Sequence, residues 1–216
     1  MKPYKTTVGE STAQYEIQRS KFITHAKHVE SEEEARAYIQ EQKRAYFDAR
    51  HNCSAYVLGA DGAKQKSNDD GEPGGTAGNP ILDAIKKNEL TNIVVVVTRY
   101  FGGIKLGAGG LIRAYSHSAV LGLEAADIVQ MTPLAVVHVR LGYDLLAPVE
   151  NYLRQKSIRT GEKAYAEDVT IDVLLQEDEE EAMLAALTDL TSGRATFADG
   201  GTQVIAVPLP FHQATE

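Results

Sequence analysis

The 216-residue chain has one cysteine, Cys53. No intrachain disulfide is possible, and a reducing, cytoplasmic setting is the simplest expectation. No apolar run approaches the ~20 residues that a membrane-spanning helix needs. The N-terminus, MKPYKTTVGES, has no hydrophobic segment after its lysines, so no signal peptide is expected. The chain also lacks GxxxxGK(S/T), GxSxG and HExxH, the signatures of a phosphate loop, a nucleophile elbow and a zinc protease. No cofactor and no metal site are expected.

Positive charge is scarce in one part only. Residues 1–131 hold 16 Lys+Arg and 16 Asp+Glu, whereas residues 132–216 hold 6 and 14, so the net charge of −8 sits in the last third. That split suggests two domains, 1–132 and 133–216, and argues against nucleic-acid binding by the second. An acidic second domain could restrain polyanion binding by the first.

The most unusual stretch is NIVVVVTRYFGGIKLGAGGLIRAYS, residues 92–116. Ile93 to Val97 read as a strand buried on both faces. Five glycines fill residues 102–110, and a helical pattern opens at Leu111 and runs to about Ala126. A strand, a Gly-rich turn and a helix start can place backbone N–H groups around an anion, with Arg99, Lys105 and Arg113 adding cations. The match to GxGxxG fails at Ile112, and the plainer reading is a tight turn that lets helix and strand approach. The helix is apolar nearly all round, which suggests a sandwiched position. Its polar stripe is Arg113, His117 and Glu124.

A second stretch, KSNDDGEPGGTAGNPIL (66–82), carries four glycines, two prolines and three carboxylates, which exclude regular structure for most of it. Asn79 as N-cap and Pro80 in first position start a helix with Ile81 and Ile85 inward. Upstream, AQYEIQ and KFITHAKHV predict an antiparallel hairpin. Ser31 with Glu34 predicts a capped helix burying Ala35, Tyr38, Ile39 and Tyr46. NCSAYVLG predicts a strand with Cys53 as a small core residue.

Met131-Thr132-Pro133 marks the expected boundary. Beyond it the pattern is strand–helix–strand–strand–helix–strand, the ferredoxin-like βαββαβ order. Asp144 is expected to cap its first helix, with Pro148 in the first turn. The run EDEEE opens the second helix, which carries Met183, Leu187 and Leu190. The tail PFHQATE is expected to fray. Asp172 and Thr170 stand where an RNA-recognition sheet needs aromatics.

SNDDGEPGGTAGNPIL and TRYFGGIKLGAGGLIRAYS together resemble the signature of the YigZ/IMPACT family, supported by SKFITHA and RHNCSAYVLG. The resemblance covers nearly the whole chain. It implies an α+β protein of two domains. The first would be an α/β sandwich like the second domain of a small-subunit ribosomal protein. The second would be a ferredoxin-like domain like the last domain of elongation factor G. Both likenesses point to translation. Eukaryotic relatives compete for a protein partner in the amino-acid starvation response.

The expectation is therefore a translation-linked binding protein whose N-terminal domain contacts RNA, the ribosome or a ribosome-associated protein. Lys66, Arg99, Tyr100, Lys105 and Arg113 would supply phosphate contacts and a stacking ring, with His117 beside them. Asp69, Asp70 and Glu72 would repel phosphate unless they pair with cations. The acidic loop is expected to fold against Arg99 or Lys105. Two alternatives stand beside this. One is an enzyme holding Mg²⁺ on Asp69, Asp70 and Glu72, with His51 or His117 as general base. The other is a purely protein-binding regulator.

Overall fold

The computed structural model describes residues 2–209. The chain divides into two compact units at Met131/Thr132, and the strand end from Ala206 groups with the first.

The first unit opens with β1 (Tyr4–Val8), a strand that the sequence pattern did not predict. β2 (Glu10–Ile17) and β3 (Ser20–His28) form the expected antiparallel hairpin. α1 (Glu32–Ala45) starts where its cap predicts, with the Ser31 side chain accepting from the Glu34 N–H. The Glu34 carboxylate reaches one residue past the cap and accepts from the Glu30 N–H at 2.9 Å. The helix ends before Tyr46, so its buried stripe is Ala35, Tyr38 and Gln42, with Ile39 half-buried.

β4 (His51–Leu58) pairs with β5 (Lys64–Asn68). Part of the stretch read as irregular is therefore an edge strand, and Lys66 lies on it opposite Tyr56. α2 (Gly78–Lys87), β6 (Ile93–Tyr100) and α3 (Gly107–Glu124) complete the unit. Asn79 is not the cap of α2. Ala77 occupies that position, and the Asn79 Oδ1 accepts from Ser67 at 2.8 Å instead.

The sheet runs β2-β3-β6-β4-β5, with antiparallel neighbours throughout. β6 is central, and Ile93 to Val97 are all fully buried. Alternation along a strand sends Ile93, Val95 and Val97 to a core shared with α2 and α3. Val94 and Val96 face the opposite core, shared with α1. At roughly 1.5–3 kcal/mol per fully buried aliphatic side chain, this one strand joins both layers.

α3 begins four residues earlier than its pattern suggests, so Gly107, Gly109 and Gly110 sit in its first turn. It is not sandwiched. Leu111, Ala114, Tyr115, Ser118 and Gly122 face the sheet, while Ile112 is 44% exposed and Arg113, His117 and Glu124 are exposed. The outer layer of a sheet covers only one side of a helix. A Cβ on Gly122 would stand 2.4 Å from the Thr24 Cγ2, so glycine there permits the close crossing.

In the second unit, β7 (Asp127–Leu141), α4 (Tyr143–Gln155), β8 (Arg159–Tyr165), β9 (Val169–Leu175), α5 (Glu180–Leu190) and β10 (Thr196–Pro208) give the order βαββαβ. β10 pairs β7, and β7-β9-β8 follow. Val137, Val139, Leu141, Val169, Ile171 and Val173 meet α4 and α5 in one core. The two-domain α+β architecture is thus present. Met131-Thr132-Pro133 lie inside β7 rather than in a linker, and residues 127–131 pair with β1.

Asp144 lies in the first turn of α4 without capping it; Gly142 holds the cap position, and Asp144 pairs with Arg194 at 2.7 Å. Pro148 is in the helix interior, where it removes one intrahelical donor. Leu190 is 39% exposed at the end of α5, beyond reach of the core. The PFHQATE tail (210–216) lies outside the described residues. Among the described residues no helix is long and apolar enough to cross a membrane.

Candidate functional site

β3 starts, β6 ends and β4 starts at one end of the first sheet. The register places Phe22, Arg99 and His51 side by side there, and Lys21 beside Tyr100. The acidic loop between β5 and α2 folds onto this end.

Asp69 acts as a remote helix cap. Its Oδ1 accepts from the Ala77 and Gly78 N–H groups at 3.1 and 2.8 Å, and its Oδ2 from Gly75 at 2.8 Å. Those donors are orphaned at the start of α2, whose own cap residue offers no side-chain acceptor. Burial pushes the Asp69 carboxyl upward, but the three N–H bonds outweigh it and hold the group below its ordinary range.

Asp70 adopts a left-handed φ of 44°. Its carboxylate takes Lys43 Nζ at 2.5 Å and the Asn52 N–H at 2.7 Å. Its carbonyl lies 2.9 Å from His51 Nδ1. A carbonyl only accepts, so that bond puts the ring proton on Nδ1 and leaves Nε2 as the acceptor in the neutral ring. Nε2 faces Glu72 Oε2 at 4.0 Å.

Glu72 Oε1 accepts from Arg99 Nη1 and from the Tyr115 hydroxyl, both at 2.8 Å. Both side chains of the ion pair are buried. Arg99 Nη2 reaches Ser20 Oγ at 3.3 Å, its guanidinium lies 5.6 Å from the Phe22 ring centroid and 5.5 Å from that of Phe101, and its Nε has no partner among the described residues. Cys53 completes the knot, donating to the Asp69 carbonyl at 3.0 Å. Burial pushes the Cys53 thiol well up, and it pushes the Tyr115 hydroxyl up too, with Cys53 and Glu72 adding to the latter. Cys53 is thus inert core rather than a nucleophile.

The acidic loop therefore folds against Arg99 and not against Lys105. All three carboxylates are held by protein donors, which suits a structural clamp, and among the described residues no group of three His, Cys, Asp or Glu is placed to hold a metal ion.

The nine residues singled out in the sequence do not form one site. Asp69, Asp70, Glu72 and Arg99 belong to the clamp. Arg99 cannot contact phosphate, because it is buried and committed to Glu72. Tyr100 donates its hydroxyl to Asp48 at 2.7 Å, which draws segment 46–50 to the same sheet end. Lys66 sits on the far edge strand, in a small groove with Arg36 and Lys43. Lys105 is exposed in the β6–α3 connection, while Arg113 and His117 face a groove beside β2.

Around the clamp lies a rim that sequence reading missed. Arg19, Lys21 and Arg50 join Lys105 there, and none of the four makes an ion pair among the described residues. Phe47 is 84% exposed and Phe101 49%. Gly102 packs directly on the Arg19 backbone; a Cβ there would stand 1.9 Å from its carbonyl oxygen. Exposed phenylalanines flanked by unpaired cations were the available signal, but they lie more than fifty residues apart in the chain.

Residues 18–123 match the family described as the Impact N-terminal domain, and residues 139–194 match a domain of unknown function, DUF1949. IMPACT family member YvyE of Bacillus subtilis is 44% identical over 184 residues, covering 85% of each chain. IMPACT family member YigZ of Escherichia coli is 34% identical over 194 residues, covering 89% of this chain and 92% of the relative. The protein IMPACT homolog of Saccharomyces cerevisiae is 39% identical over 93 residues, 41% of this chain and 35% of that one. A crystal structure of a hypothetical protein superposes with a TM-score of 0.59 at 32% identity, covering 91% of this chain and 97% of the other.

Proposed function

Since this chain belongs to the IMPACT family, we propose that it is a translation-linked binding protein whose N-terminal unit holds single-stranded RNA on the aromatic and cationic rim of its first sheet. The observation that carries this reading is the rim itself. Arg19 and Lys21 at the start of β3, Arg50 before β4 and Lys105 after β6 make no ion pair among the described residues, and Phe47 and Phe101 are exposed in the connections before β4 and after β6. Unpaired cations follow a phosphate backbone, and exposed rings stack on bases without choosing among them. The clamp supports the role by engaging three carboxylates with protein donors, Glu72 among them buried, at the strand ends beside these residues.

The translational setting rests on what the family resemblance implies, domains like those of a small-subunit ribosomal protein and of elongation factor G. The acidic second unit is then a partner-facing or restraining module.

Co-sedimentation with ribosomes, and anisotropy with a fluorescent 12-mer of uridine, both across a salt series, test the reading. Salt-sensitive binding should be lost in Lys21→Ala/Arg50→Ala/Lys105→Ala and weakened in Phe47→Ala/Phe101→Ala. Binding to neither probe at low salt would retire it.

A further inference from the structure

The two edges of the first sheet are built differently. β5 is five residues long and carries exposed Lys64 and Lys66, the usual way of blunting an edge against pairing. β2 has eight residues, ESTAQYEI, with no lysine, arginine, proline or glycine. It pairs with β3 from Glu10↔Lys27 to Ile17↔Ser20 without a bulge. Among the described residues no strand lies on its other side. At about 3.3 Å per residue this leaves an open edge roughly 25 Å long. Such an edge is a hazard unless it is used.

A groove of about 350 Å³ runs along this edge, lined by Tyr15 and Ile17 of β2 and by Leu106, Arg113, Ala114 and His117 at the start of α3. Its floor is apolar. Its wall is cationic: Arg113 is exposed and has no ion pair among the described residues, and the His117 ring is braced edge-on against Tyr15 at 4.6 Å. The opposite face of β2 carries Glu10 and Glu16. The two faces of the edge therefore ask for opposite charges.

We propose that β2 accepts an extended segment of a partner protein as a sixth strand. Strand addition draws affinity from main-chain hydrogen bonds and specificity from pockets that take alternate side chains. On the groove side the segment carries an apolar residue for Ile17, Leu106 and Ala114, and a carboxylate two positions away for Arg113. On the other side it carries lysine or arginine opposite Glu16. Alternating parity, acidic and apolar on one face and basic on the other, identifies the partner's chemistry. The edge site uses none of the rim's cations, and the two adjoin where Lys21 stands opposite Glu16.

The test uses the full chain and a labelled ten-residue peptide alternating Leu/Asp at one parity with Lys/Thr at the other. The wild-type chain should bind it. Binding should fall at least tenfold when every second peptide nitrogen is methylated in the parity that faces β2 and change little in the other, because only the inward set supplies the ladder donors. Arg113→Glu/Glu16→Lys should lose this peptide at least tenfold and gain a peptide with the charges exchanged; both residues are exposed, and circular dichroism checks the fold. Arg50→Ala/Lys105→Ala, which keeps Lys21 opposite Glu16, should leave peptide binding unchanged, so this proposal and the RNA reading can fail separately. No binding at 1 mM peptide overturns the proposal, as does indifference to both methylation patterns. A dimer in sedimentation that peptide does not dissociate assigns the edge to a second copy and also overturns it. So does peptide binding that appears only after deletion of residues 210–216, which would make the chain's own end the occupant.

Discussion

Arg99 Nη1 lies 2.8 Å from Glu72 Oε1, and both side chains are buried at the end of the central strand. The pair joins β6 to the acidic loop, and through Tyr115 it joins both to α3. Removing one partner strands the other charge in a dry site. Glu72→Ala or Arg99→Ala should each lower stability by about 3–5 kcal/mol in urea unfolding. Replacing both, as Glu72→Leu/Arg99→Met, should recover most of that loss, because no uncompensated charge remains.

Asp69→Asn should cost about 1–2 kcal/mol near neutral pH, the range for losing a good cap. The native Asp69 carboxyl is held below its ordinary 3.8 by three N–H bonds that overcome its burial. A depressed native value gives stability that is present above the unfolded pKa and lost as pH falls through the native one. The difference between wild type and Asp69→Asn should therefore be constant above pH 5 and shrink below about pH 4. A gap that persists unchanged to pH 2 would assign the effect to shape rather than charge.

His25 titrates with the fold. Burial lowers its pKa from 6.5, partly offset by Glu10, and its two ring nitrogens meet Thr12 and Tyr46 at 3.0 Å. The folded state binds its proton later than the unfolded state. Its contribution to stability is full above 6.5 and is lost as pH falls through the lower native value. Wild type should lose stability between pH 7 and 5 by more than His25→Gln does. Chemical-shift titration of the ring should show a midpoint under 6.5.

Gly102→Ala should be severe for a surface turn. The new Cβ would meet the Arg19 carbonyl at 1.9 Å, and backbone cannot swing aside as a side chain can. A loss of about 2–3 kcal/mol is expected, at the upper end for overpacking. Because this contact sets Arg19 beside the β6–α3 connection, the proposed RNA binding should weaken in the same variant.

If the N-terminal unit holds RNA as proposed, the salt dependence of that binding counts the phosphates neutralised. For a single strand the slope of log K against log salt is about −0.7 per phosphate neutralised. Removing Lys21, Arg50 and Lys105 should flatten it by about two units. Arg99→Lys, conservative in charge but buried, should leave the slope alone.

Much of the architecture was legible because period and capping carried it. The run Ile93 to Val97 announced a strand covered on both sides, and Ser31 with Glu34 announced α1. Alternation from Val137 to Leu141 and from Val169 to Leu175 gave the second unit. Local signals failed where a distant residue did the local work. Asn79 looked like the cap of α2, but Asp69, nine residues before Gly78, supplies the acceptor. KQKSN shows no strand pattern because an exposed edge has no face to bury. Arg99 read as a surface cation because sequence does not reveal that Glu72 folds over it. The rim was illegible for the same reason: Phe47 and Phe101 meet one sheet end only after β3, β4 and β6 are in register.

The return of the chain to the first unit has a bearing on how that unit is made. Residues from Ala206 group with it, the Leu209 N–H bonds the Ile128 carbonyl at 2.8 Å, and Leu209 packs on its core. Residues 132–205 are thus an insertion between two parts of one folding unit. Until residues 206–209 are made, the first unit lacks the Leu209 contact with Ile128 and with its core. Cutting the chain after Pro133 would remove a native contact along with the acidic unit. Excising 132–205 and bridging Met131 to Ala206 with a short flexible linker is the cut that leaves the first unit whole.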